Sequence, residues 1–157
     1  MGKDKDKHEI RSIKDFEEFK RLKEHLKDGF VIDKEGSQIT NPAILDLSEK
    51  IAKALYQATK FRQRSDTINQ FRKFFNEVRG LKNLKEHTDR LSVALRMLKA
   101  RMGYAAGRET ISQDFSEVIN TCINKMLELG DFAKHIDGFC DFFEALYAYY
   151  YYHTKVR

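Results

Sequence analysis

Apolar residues recur every three or four positions along most of the chain, and almost nothing interrupts them. The 157 residues include one proline and eight glycines. Because proline and glycine mark turns and helix ends, long periodic segments with so few of them predict helices joined by short connections. Strand signals are weak. We therefore predict an all-α fold, a single-domain bundle of five to six helices.

The first two helices have recognisable ends. An apolar stripe runs through residues 12–28, and Asp28-Gly29 is predicted to end that helix. A loop through Gly36 is expected next. Asn41 is then predicted to cap the second helix, with Pro42 in its first turn, where the missing N–H of proline costs nothing.

The later helices are predicted from pairs of capping residues and from glycines. A Ser/Thr/Asn/Asp residue followed three positions later by Glu or Gln is typical of a helix N-terminus. Glycine frequently follows a C-terminus. The predicted starts are Thr67 with Gln70, Asn83 with Glu86, Thr110 with Gln113, and Asp131; the predicted stops are Gly80, Gly107 and Gly130.

The start of the chain is expected to be less ordered than the rest. Residues 1–11, in which Lys and Asp alternate, are predicted to be a flexible charged tail, and residues 12–157 the helical bundle domain.

The charged start does not resemble a secretory signal, and no apolar run approaches the roughly 18 residues of a membrane span. Cys122 and Cys140 lie in apolar segments without a CxxC spacing, which favours core positions. We expect a cytoplasmic protein with no membrane partner.

Positive charge is concentrated in the middle third of the chain. Residues 61–108 contain twelve Lys and Arg against four Asp and Glu, whereas the whole chain carries a net charge of only +5. Such segregation is typical of a surface that binds a polyanion, and nucleic acid is the first candidate. The alternative is a set of ordinary solvated helix faces.

Several of these basic residues share helix faces. Arg72 and Arg79 are predicted to lie together on the third helix, bordered by Lys73. Arg90, Arg101 and Arg108 are close in projection on the fourth, because their spacings are near whole numbers of turns. Lys60, Arg62 and Arg64 crowd the loop before Thr67. A helix-turn-helix around residues 67–100 is conceivable but lacks an evident set of base-reading side chains.

No catalytic constellation is apparent in the sequence. The five histidines show no metal-ligand spacing, and no glycine-rich phosphate loop is present. Asp137, Asp141 and Glu144 share one face of the last helix, which is more typical of a solvated acidic surface than of a metal site. We predict no catalytic residues, no metal site, no cofactor and no enzymatic activity.

The tyrosines near the C-terminus are interpreted as packing on the bundle and on a neighbouring subunit, because the charge around them is acidic; base stacking is the alternative.

Three stretches of the sequence carry a family resemblance. They are residues 67–75 (TINQFRKFF), residues 98–108 with the string Tyr-Ala-Ala-Gly-Arg at 104–108, and residues 139–149 with Phe-Phe-Glu-Ala at 142–145. Across residues of about 60–152 the chain resembles the small all-helical subunit of the type III-A CRISPR effector, the Csm complex. The first sixty residues contribute nothing to the likeness.

The resemblance implies a non-catalytic subunit in antiviral defence. Copies would stack head to tail as an inner filament beside other Csm subunits and bind crRNA and target RNA without sequence specificity. Arg72, Arg101 and Arg108 lie in the matching stretches and are the first candidates for RNA contact. Lys60, Arg62, Arg64, Lys73, Arg79 and Lys99 are candidates by charge and placement alone.

Two other functions stay open at the level of sequence. One is a standalone helical DNA-binding regulator, for which specific binding to duplex DNA at high salt would be diagnostic. The other is a structural adaptor whose basic surface meets an acidic protein.

Overall fold

The protein is a bundle of helices with one small β-hairpin. A computed structural model describes residues 12–59 and 67–155. Within these ranges the α-helices are α1 (Glu17–His25), α2 (Pro42–Thr59), α3 (Thr67–Gly80), α4 (Thr88–Gly107), α5 (Gln113–Leu129) and α6 (Phe132–Lys155), and the strands are β1 (Val31–Lys34) and β2 (Ser37–Thr40). The predicted all-α class and helix number are confirmed. The tail predicted for residues 1–11 lies outside the described ranges.

Two predicted helix ends are confirmed by their capping geometry. The Asn41 side-chain oxygen accepts a hydrogen bond from the backbone N–H of Ala43 at 3.0 Å, so Asn41 caps α2 and Pro42 opens it. At the end of α5, Gly130 is left-handed (φ 80°), and its N–H donates to the Met126 carbonyl. Glycine adopts this conformation without the steric penalty of a Cβ atom.

The predicted start at Asn83 is wrong. Residues Leu81–Leu84 form a 3₁₀ turn, and α4 begins only at Thr88. Gly80 ends α3 as predicted, but in a right-handed conformation (φ −64°) that leads directly into this turn. The chain therefore leaves α3 by tightening the helix, and no left-handed glycine cap is needed.

The predicted capping pair Thr110 and Gln113 is also wrong. Ser112 is the N-cap of α5, since its hydroxyl accepts from the Phe115 N–H at 3.0 Å, and Gln113 is the first residue of the helix. Thr110 instead satisfies a carbonyl at the C-terminal end of α4, because its hydroxyl donates to the Ala105 carbonyl. The side chain of Thr67 lies outside the described part of the chain.

The N-terminal segment departs from prediction in two places. Its helix is interrupted at Phe16, which is extended (ψ 140°), and the flanking residues 13–15 and 26–28 are 3₁₀ turns. The expected loop through Gly36 is in fact a hairpin, in which Val31 pairs with Thr40 and Lys34 with Ser37. Its turn residues, Glu35 and Gly36, both have positive φ (51° and 83°), as tight two-residue hairpin turns require.

Helix α6 lies at the centre of the molecule and contacts α2 through α5 and the hairpin. Its Phe143 ring packs edge-on against Phe71 of α3 and Phe115 of α5, with centroids 5.7 and 5.6 Å away. Cys122 and Cys140 are buried as predicted. Burial raises the pKa of the Cys140 thiol to about 12, so this group is an inert core residue.

Hydrogen bonds that are buried or partly buried connect the N-terminal segment to this core. Asp114 at the start of α5 accepts from the Ile13 N–H at 3.0 Å. His135 of α6 accepts from the Phe30 N–H at 3.2 Å, and Asp141 accepts from the Thr40 hydroxyl at 2.6 Å.

Within the described ranges, no helix is long and apolar enough to cross a membrane.

Candidate nucleic-acid interface

Helices α3 and α4 bring part of the basic middle third onto one surface. Arg101, in the second half of α4, donates from Nε and Nη2 to Oε1 of Glu77 on α3, at 3.0 and 2.7 Å. The side chains of Arg101 and Glu77 are 49% and 31% exposed. This contact joins the outer sides of the two helices, which helical projection of either segment alone could not show.

Arg72 occupies the other flank of α3, beside α6. Glu77 follows it by five positions, so the two side chains project about 140° apart around the helix. Its Nε donates to the Tyr147 hydroxyl at 3.1 Å, and this bond raises the pKa of an already cationic guanidinium. Exposed residues Lys73 and Asn76 lie between these flanks on the outer side of α3.

Arg108 follows the last turn of α4 and keeps a right-handed backbone (φ −83°). It therefore continues the row begun by Arg90 and Arg101, with projections within about 20° of one another. Its Nη1 donates to the hydroxyl of Tyr104, one turn earlier, at 3.0 Å, and its guanidinium lies 5.7 Å from that ring centroid. The bond to Tyr104 raises the pKa of Arg108.

The other basic residues predicted to bind RNA do not all lie on the same side of the molecule. Lys73 and Arg79 are exposed on α3, and Arg79 lies 5.4 Å from the ring of Phe75. Lys99 points away from the arginines of α4, toward α5, where its Nζ donates to Asn124 at 2.6 Å. The structure therefore does not bring Lys99 to the same face as Arg101. Lys60, Arg62 and Arg64 lie outside the described ranges.

We call the surface formed by Arg72, Lys73, Arg101 and Arg108 the arginine face. Arg72 lies on the α6 side of α3, Lys73 lies on the outer side of that helix, and Arg101 and Arg108 lie in and just after α4. All four residues are exposed. Guanidinium groups bind phosphate oxygens without reading base sequence, so this surface has the chemistry for a nucleic-acid backbone.

Sequence reasoning missed two of the groups that organise this face. Glu77 and Tyr104 received no role, although an arginine four residues after a tyrosine on a helix is a recognisable neighbour pair.

The C-terminal tyrosines differ in burial: Tyr150 is buried at 6% exposure, whereas Tyr151 and Tyr152 are 41% and 53% exposed. Packing on the bundle is thus confirmed for Tyr150, and packing on a neighbouring subunit stays a prediction for the exposed ones.

Two of the three acidic residues of α6 take part in structural contacts, and the third, Glu144, is exposed. Asp137 forms an ion pair with Lys85 at 2.5 Å, and Asp141 accepts the Thr40 hydroxyl. Among the described residues, no three His, Cys, Asp or Glu side chains are grouped so that they could hold a metal ion.

A comparison with protein-family models finds a match over most of the chain. Residues 43–155 are similar to the family described as Csm2 Type III-A. The matched region begins near the start of α2 and includes every residue of the arginine face. No curated protein and no solved structure matches the chain.

Proposed function

The chain belongs to the Csm2 type III-A family, whose members are the small subunit of the type III-A CRISPR Csm complex, and we propose that it binds crRNA and target RNA through the arginine face. It is a partner of the other Csm subunits. The observation that carries the RNA-binding proposal is the exposure of Arg72 on α3 and of Arg101 and Arg108 in and just after α4, two helices joined by the contact of Arg101 with Glu77.

The contacts already made by these arginines suit such a role. Exposed ion pairs such as Arg101–Glu77 contribute about 0–1 kcal/mol, so a phosphate can replace the carboxylate at little cost. The tyrosine hydroxyls beside Arg72 and Arg108 restrict the guanidinium positions without neutralising their charge. The face is therefore ordered before RNA arrives, which lowers the entropic cost of binding.

The remaining parts of the proposal concern assembly and chemistry. We propose that copies associate head to tail inside the complex, to which Val93 and Met97 on α4 contribute apolar surface at 60% and 48% exposure. We also propose that the subunit acts without catalysis, in the cytoplasm, and without a cofactor. Metal-dependent RNA cleavage that copurifies with the chain and disappears in Asp137→Asn or Asp141→Asn variants would contradict the non-catalytic part.

The test is a triple charge reversal, Arg72→Glu with Arg101→Glu and Arg108→Glu. Its matched control reverses Lys20, Arg21 and Lys27, three exposed residues in and just after α1. Both variants change the net charge by the same amount, but only the first alters the arginine face. We expect loss of RNA binding in the first variant alone, with helical content and melting temperature kept in both.

Other outcomes favour the rival functions. An equal loss in both variants would mean that RNA responds to net charge and not to this face. Tight binding to one duplex DNA sequence at high salt would indicate a DNA-binding regulator. No RNA binding by the parent at low salt, with retention of an acidic partner protein, would indicate an adaptor.

A further inference from the structure

Tyr104 is the most exposed of the large apolar and aromatic side chains in the described ranges. It retains 67% of its accessible surface, on a helix whose opposite side is buried against the core. A ring held outward on a basic helix offers an aromatic face to any ligand that the neighbouring cations attract.

The surroundings of Tyr104 specify that ligand. Arg101 precedes it by three residues and Arg108 follows it by four, so both cations lie beside the ring on the same side of α4. The Nη1 of Arg108 donates to the Tyr104 hydroxyl at 3.0 Å, which holds the phenol in place. A fixed aromatic face next to two phosphate-binding guanidiniums matches one nucleotide, with its base on the ring and its phosphates on the arginines.

We propose that Tyr104 is a stacking platform for an unpaired RNA base. The proposal rests on the RNA-binding function above and deepens it, because a base in a duplex is already stacked on its neighbours and offers no free face. The site therefore takes a single-stranded or flipped-out nucleotide in preference to continuous duplex.

Position separates Tyr104 from the tyrosines of α6. Tyr152 is similarly exposed at 53%, but it lies in the last turns of α6 and is not part of the arginine face. Tyr152→Ala is consequently the matched control, since it removes the same exposed side chain from outside that face.

The experiment measures the affinity of an unstructured single-stranded RNA oligonucleotide and of the same strand in a full duplex. The variants are Tyr104→Ala, Tyr104→Phe and Tyr152→Ala. Stacking contributes about 1–3 kcal/mol per base, so Tyr104→Ala should weaken single-strand binding by roughly 5- to 150-fold. Tyr104→Phe keeps the ring and loses only the bond to Arg108, so it should keep most of the single-strand affinity, and Tyr152→Ala should keep all of it.

The salt dependence identifies the kind of contact that is lost. Because Tyr104 is uncharged, Tyr104→Ala should lower affinity without changing the slope of log affinity against log salt, and duplex binding should change little. Sedimentation of each variant is measured in parallel. The exposure of Tyr104 means that its removal should leave the melting temperature unchanged.

Two results would overturn the proposal in distinguishable ways. Unchanged single-strand affinity in Tyr104→Ala, while the triple arginine variant loses RNA binding, removes the stacking role and leaves the proposed function intact. A change in sedimentation shared by Tyr104→Ala and Met97→Ala, with RNA affinity unchanged, makes this side of α4 a protein contact. If neither the tyrosine nor the arginine variants affect RNA binding, the proposed function itself fails.

Discussion

Single residues on the arginine face are held by partners that differ in charge. Arg72 and Arg108 bond tyrosine hydroxyls, whereas Arg101 is bonded to the carboxylate of Glu77. A hydroxyl positions a guanidinium and leaves its positive charge intact. Glu77 positions Arg101 but also cancels much of its field, so Glu77 competes with phosphate for the same donors.

Replacing Glu77 by Gln should therefore strengthen RNA binding. The change removes one negative charge from the face and frees Arg101, so we expect a severalfold higher affinity and a steeper salt dependence. Glu128→Gln is the matched control, because Glu128 forms a comparable ion pair with Lys125 at 3.4 Å on α5. Affinities measured by fluorescence anisotropy should rise for the first variant only; equal effects would mean that net charge alone decides affinity.

His135 makes stability depend on pH. It is buried, and its Nδ1 accepts the Phe30 N–H, a role open only to the unprotonated nitrogen. Burial and the nearby Lys134 lower the pKa of His135, against a weaker opposite effect of Asp131. Since the folded state disfavours the proton, stability should be complete above the ordinary histidine pKa of about 6.5 and fall as pH drops below it.

The measurement is the free energy of unfolding in denaturant between pH 7.5 and pH 5.5. The parent should lose stability across this range, and the non-titrating variant His135→Gln should lose less, while starting from a lower value. The other histidines are common to both proteins and cancel in the comparison. Parallel pH profiles would show that His135 does not link protonation to folding.

At the scale of elements, the hairpin is held against α6 by close backbone approach. A Cβ atom added to Gly138 would lie 2.8 Å from the Phe30 carbonyl oxygen, whereas one added to Gly103 on α4 would meet nothing within 4 Å. Gly138→Ala should thus destabilise the protein by about 1–3 kcal/mol. Gly103→Ala should stabilise it by up to about 1 kcal/mol, since alanine is the better helix former. Denaturant midpoints of the two variants should move in opposite directions; a neutral Gly138→Ala would mean that the hairpin is not tightly packed there.

Helix interiors were predictable from the sequence, but several helix ends were not. The apolar periodicity identified the buried stripes because burial on one side is what the 3.6-residue repeat records. Capping pairs are short and recur by chance. Thr110 and Ser112 both offer a hydroxyl near the same end, and only the packed structure decides that Ser112 caps α5 while Thr110 serves the helix before it.

The candidate site shows the same division. The shared side of Arg101 and Arg108 followed from their spacing on one helix. The contact of Lys99 with Asn124 and the pairing of Arg101 with Glu77 depend on which helices are neighbours. Such relations between elements are tertiary and carry no local signal. The hairpin was missed because its turn, Glu35-Gly36, lies between strands of only four residues.

For the whole molecule, the family match and the packing divide the chain differently. The match covers residues 43–155, yet buried residues from the preceding segment, such as Phe19 and Phe30, belong to the same core cluster as Phe139. The segment before α2 therefore stabilises the family region from one side. The arginine face lies on α3 and α4, and neither helix is among the elements that pack extensively against that segment.

The salt dependence of RNA affinity tests the central claim most directly. Each phosphate neutralised contributes about 0.7 to the slope of log affinity against log salt for single strands. If Arg72, Arg101 and Arg108 each contact a phosphate, changing any one to Gln should lower the slope by about that amount, for RNA of any sequence. Slopes that stay at the parental value in all three variants, with the fold intact, would contradict the assignment of RNA to the arginine face.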